Sequence, residues 1–87
     1  MCDPGPTVLL DVRLLPAPEP FRLIMESLAT LPDGACLKVL HRREPFPLYP
    51  VLARSGFSVT VERVEHASAT EFILYITRNI SSEQPDT

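Results

Sequence analysis

The sequence predicts a two-layer α/β sandwich with its elements in the order β-α-β-α-β-β. Three observations lead there. Two amphipathic helical stripes each follow a short apolar run, Thr7–Val12 before the first and Ala35–His41 before the second. Prolines cluster at the entry of both stripes, where a helix tolerates them. The last part of the chain alternates apolar and polar residues at period two, over Phe57–Val64 and Thr70–Arg78. Right-handed strand–helix–strand crossovers put both helices on one face of the sheet.

Residues 1–6, Met-Cys-Asp-Pro-Gly-Pro, read as a flexible arm. Thr7–Val12 is apolar and short enough for a buried strand. The first helix spans Pro18–Leu31, with Phe21, Ile24, Met25, Leu28 and Leu31 at spacings of three and four. Glu19 sets negative charge at the positive end of its dipole. Pro32-Asp33-Gly34 ends it and turns the chain. In the second strand Leu37 and Val39 share one face, opposite Cys36, Lys38 and Leu40. The second helix, Phe46–Ser55, turns Leu48, Val51 and Leu52 inward, and Gly56 stops it in the left-handed conformation. In the third strand Phe57, Val59 and Val61 face away from Ser58, Thr60 and Glu62. A polar turn at 65–69 leads to the fourth, with Phe72, Leu74 and Ile76 on one face. One domain therefore occupies residues 7–78, followed by a flexible tail at 79–87.

The composition narrows the functional classes. A formal charge of −3 argues against a nucleic-acid binder, which would be basic. No apolar run approaches the roughly 18 residues that span a bilayer, and the N-terminus lacks the pattern of a signal peptide. The expectation is a cytoplasmic protein that contacts neither membrane nor nucleic acid. Cys2 and Cys36 form no C-x-x-C pair and no zinc spacing, so free thiols in a reducing compartment are expected.

Two stretches resemble a known family. One is the strand end Leu10-Asp11-Val12-Arg13 running into the Pro-rich entry Pro16–Pro20; the other is His41-Arg42-Arg43-Glu44-Pro45-Phe46-Pro47-Leu48-Tyr49. Together they resemble the domain-of-unknown-function family 2249, within the TusA-like (SirA-like) superfamily of sulfur carriers, over residues 8–78. The resemblance implies a mixed four-stranded sheet with one antiparallel strand. It also implies a reactive cysteine just before the first helix, in a Cys-Pro-x-Pro entry. This chain has Ala17 there, followed by Pro18, Glu19 and Pro20. Alanine can neither accept nor pass on sulfur, so the carrier chemistry of the superfamily is not expected at that position.

Ligands of open α/β sheets favour the carboxyl ends of parallel strands. With the first two strands adjacent, that edge gathers Arg13, His41, Arg42 and Arg43 beside the two helix entries, with Pro18 and Glu19 at the first and Tyr49 offering a hydroxyl at the second. Guanidinium groups and helix amides suit an anion or an acidic protein surface. Glu19 and Glu44 are each placed to neutralise an arginine. The competing reading makes Arg42 and Arg43 a solvated loop. His66 is expected in a distant turn, away from His41.

No Gly-rich phosphate loop, nucleophile elbow or metal-ligand spacing occurs. The sequence thus points to a noncatalytic binding or adaptor module, without cofactor or metal, that docks a protein partner or a small anionic ligand. The alternatives are a sulfur-transfer or redox accessory protein using Cys2 or a partner's thiol, and a metal- or haem-associated domain using His41.

Overall fold

A computed structural model of the chain describes residues 6–79. Apart from Pro6 and Asn79, the expected arm and tail fall outside the described residues. The elements are β1 (Thr7–Asp11), α1 (Glu19–Ala29), β2 (Cys36–His41), α2 (Leu48–Arg54), β3 (Phe57–Glu65) and β4 (Thr70–Arg78). The sheet runs β1-β2-β4-β3. β1 pairs parallel with β2, while β4 is antiparallel to both β2 and β3. β1, β2 and β3 therefore share one direction, and the second crossover leaves a gap that β4 fills from the hairpin. The sheet is mixed, with one antiparallel strand, as the resemblance implied.

Register explains the layers. Leu37 lies opposite Ile76, which lies opposite Val59, and Val39, Leu74 and Val61 form the next row. Leu37, Val39, Leu74 and Ile76 are fully buried and join Ile24 and Leu28 of α1 and Leu48 and Leu52 of α2 in one cluster. Both helices thus cover the same face. Phe57 closes the far end of that core, with the guanidinium of Arg78 5.1 Å over its ring. The same guanidinium donates to the Leu31 carbonyl at 2.6 Å, so β4 satisfies an acceptor at the C-terminal end of α1.

Both helices are shorter than the periodicity predicts. α1 begins at Glu19, with Pro18 as N-cap and Pro20 in the first turn. Its buried face is Pro20, Ile24 and Leu28, while Phe21 points outward and stays 42% exposed. α2 begins at Leu48 rather than Phe46, because the Leu48 amide first closes a turn onto the Pro45 carbonyl at 2.9 Å. It ends as expected, with Gly56 at φ +88°. Cys36 is buried on β2, and no free cysteine exists among the described residues. That corrects the free-thiol expectation for Cys36.

Candidate functional site

The carboxyl ends of β1 and β2 and the entries of α1 and α2 meet at one end of the sheet. Three shallow depressions adjoin there. One groove of about 150 Å³ lies between the helix entries, walled by Pro18, Phe21, Pro45, Pro47 and Leu48. A second, of about 260 Å³, runs from Leu15 and Pro16 to Arg42 and Arg43. Ala17, Pro20 and His41 line both. A third, of about 270 Å³, joins Arg13 and Arg42 to Thr70 and Glu71.

His41 is the shared floor because it closes β2 on the helix-covered face, two residues beyond Val39. Its Nδ1 accepts the Arg43 backbone amide at 3.2 Å, which makes Nε2 the protonated nitrogen of the neutral ring. Half-burial lowers its pKa, and the charges of Arg42 and Arg43 lower it further. The ring is thus held neutral at pH 7, a hydrogen-bond donor through Nε2 rather than a cation.

The arginines divide into two kinds. Arg13 is tied down: its guanidinium bonds Asp11 at 2.7 and 2.9 Å and Glu71 at 2.6 Å. The Arg13 hydrogen bonds hold Asp11 down at a pKa of about 2 and lower that of Glu71. Glu71 also approaches His66 Nε2 at 3.5 Å. Arg42 and Arg43, by contrast, are exposed and have no carboxylate partner among the described residues. The acids expected to neutralise them are engaged elsewhere. Glu19 pairs with Arg22 on the outside of α1, and Glu44 accepts the Tyr49 hydroxyl at 3.0 Å. Burial, and then that carboxylate, raise the Tyr49 pKa.

The structure therefore brings Arg13, Pro18, His41, Arg42 and Arg43 to one surface and leaves Glu19 and Tyr49 outside the depressions. Sequence reasoning missed Glu71 and the hairpin. β4 pairs Phe72 with His41, so the turn carrying His66 lies at this same end of the sheet, not far from it. Nothing local in the sequence signals a partner for Arg13 fifty-eight positions away.

The helix amides contribute less than the sequence argument assumed. At the α1 entry the Glu19 amide already bonds the Pro16 carbonyl at 2.9 Å, Pro20 has no N–H, and among the described residues the Phe21 amide alone of that first turn is left without a partner. The same prolines that allow the helix to start remove the donors an anion would need. In their place the surface offers apolar side chains: the rings of Phe21 at 42% exposure and Phe46 at 65%, the latter edge-on to Tyr49, and the aliphatic Leu14 at 92%. Among the described residues no cluster of three or more His, Cys, Asp or Glu could hold a metal, and no helix is long and apolar enough to cross a membrane.

Fold and site together define a small α/β sandwich domain with an apolar, arginine-flanked cleft at its strand ends. Residues 9–77 match the family model described as "Uncharacterized conserved protein (DUF2249)". The chain belongs to that family. No curated protein matches it significantly, and no solved structure does so either.

Proposed function

We propose that this domain is a noncatalytic binding module, TusA-like in fold, that docks a partner protein or a small anion at the strand-end edge. The observation that carries this reading is the groove between the helix entries, apolar in its walls and bordered by two arginines that have no carboxylate partner among the described residues. A protein segment is the better fit of the two ligands. A bare anion would leave the apolar groove unfilled and would find few free amides, whereas a segment with an apolar side chain beside an acidic one satisfies both the groove and the arginines. The TusA-like relationship is supported by the Pro-rich helix entry and by the element order, while Ala17 at the carrier cysteine's position departs from the motif. Its consequence is a carrier-type site whose thiol is replaced by a methyl group, which leaves recognition as the remaining role of that surface.

Chemical-shift mapping by NMR tests the reading. Titration with a partner captured from native extract, or with inorganic phosphate, should perturb residues 13–20 and 41–49. Arg42→Glu combined with Arg43→Glu should weaken binding at least tenfold, with a loss that shrinks as salt screens it. Lys38→Glu, on the opposite face of β2, should leave binding unchanged. Perturbations confined to 57–78 would move the site to the β3–β4 hairpin and refute the reading.

A further inference from the structure

Among the described residues five large apolar side chains are exposed, and they fall into two groups. Leu14, Phe21 and Phe46 belong to the strand-end surface. Val8 and Leu9, 42% and 61% exposed, lie on β1, an outer strand of the sheet. They need an explanation independent of the cleft.

The two sheet edges are built differently. β3, the other outer strand, carries Glu62, Arg63 and Glu65 along its second half, charges that discourage strand pairing. β1 reads Thr-Val-Leu-Leu-Asp, with no proline, no lysine and one charge at its very end. Its hydrogen-bonding pattern fixes which backbone groups are free. The Cys36 amide bonds the Pro6 carbonyl at 2.8 Å, and the Val12 amide bonds the Leu40 carbonyl at 3.0 Å. Pro6 and Val12 thus face β2, and by strand alternation so do Val8 and Leu10. The amides and carbonyls of Thr7, Leu9 and Asp11 then point away from the sheet.

We propose that β1 pairs antiparallel with β1 of a second copy of this chain, centred on Leu9, so that two four-stranded sheets become one continuous sheet. The strand is self-complementary in that register. Leu9 meets its own copy, and Thr7 meets Asp11 of the copy at both ends; these are the three residues of β1 whose backbone groups face away from β2 and have no partner among the described residues, so the pairing satisfies all of them. Between them Val8 faces Leu10 of the copy in the closer, non-hydrogen-bonded positions, on the helix-covered side. The two Asp11 carboxylates lie at opposite ends, each beside a threonine hydroxyl, so no like charges are juxtaposed. Sliding the register by two residues leaves free backbone groups unpaired, and sliding it by one opposes groups that already bond β2. Parallel pairing would set each Asp11 near the other and lose the match.

Sedimentation velocity and hydrogen exchange on the full chain test this. Mass should rise with concentration from 9.7 kDa toward twice that value. In the associated state the amides of Thr7, Leu9 and Asp11 should exchange slowly. Leu9→Lys, which sets two ammonium groups face to face, should weaken association at least tenfold. Leu9→Pro removes only an outward N–H and should do the same. In both variants the Val8, Leu10 and Val12 amides, which face β2, should stay protected, which separates lost association from lost folding. A chain that keeps monomer mass at its highest concentration, with the Leu9 amide exchanging freely, overturns the proposal. So does a dimer indifferent to both substitutions, or a Leu9 amide protected only when a different protein is added.

Discussion

Leu28 sits at the middle of α1 with 1% of its surface exposed, wedged between the helix and the sheet. Truncation to alanine removes three buried carbon atoms from a core that has no polar group to rearrange around the gap. Such losses cost about 2–5 kcal/mol, and a rigidly bracketed site with a helix on one side and a sheet on the other belongs near 3 kcal/mol. A domain of this size has roughly 4–13 kcal/mol in all. With a urea slope of about 1 kcal/mol/M, the midpoint of unfolding should therefore fall by roughly 3 M. Leu28→Asp adds an unpaired carboxylate to the same place and should leave no cooperative melt at neutral pH. Glu26→Ala, two positions away and bonded only to Arg22 at the surface, should move the midpoint by less than roughly 0.5 M. Urea unfolding followed by circular dichroism compares the three. A Leu28→Ala midpoint within about 0.5 M of wild type would mean that α1 does not seal the core as described.

Two further outcomes follow from single positions. His41 is half-buried with a lowered pKa, so its unfolded form takes up the proton first; stability should be fully present above its ordinary value of 6.5 and decline as pH falls from there toward the lower folded value. Urea midpoints between pH 7.5 and 5 should show this slope in wild type and a flatter one in His41→Gln; equal slopes would refute the burial of a neutral ring. Gly56 has φ +88° and open space where a Cβ would project, so Gly56→Ala should lose about 1 kcal/mol through backbone strain alone, readable as a lower melting temperature. An unchanged melting temperature would mean the chain leaves α2 in another conformation.

What the sequence made readable was local. Thr70–Arg78 was predicted with the bounds it has, and the alternation of Phe57, Val59 and Val61 against Ser58, Thr60 and Glu62 is the observed division of faces. Periodicity placed Ile24 and Leu28 inside but also turned Phe21 inward. The true stripe runs through Pro20, one position back, which leaves Phe21 at the mouth of the groove. Proline is easily read as a helix-start signal rather than as packing surface, and that hid the shift. The charges of the site were readable as residue types but not as partners. Arg13 looked free because its second carboxylate, Glu71, comes from a strand whose neighbour is set by pairing across the whole chain. His66 was misplaced for the same reason. No short-range pattern tells β4 to lie against β2.

That placement of β4 has a consequence for how the protein is made. Of the elements of this domain β4 is the last to be synthesised, yet it lies between β2 and β3 and forms both antiparallel ladders. A nascent chain that has emerged only as far as Glu65 holds β1 against β2, one side of β2 open, and a β3 with no neighbour at all. The helices can collapse onto that partial surface, but Leu74 and Ile76, at the centre of the core, are still missing. Co-translational folding of this domain therefore cannot proceed strand by strand from the N-terminus. It waits for the hairpin, then closes in a single late event, and until then the open side of β2 is a pairing hazard for any other unfinished chain nearby.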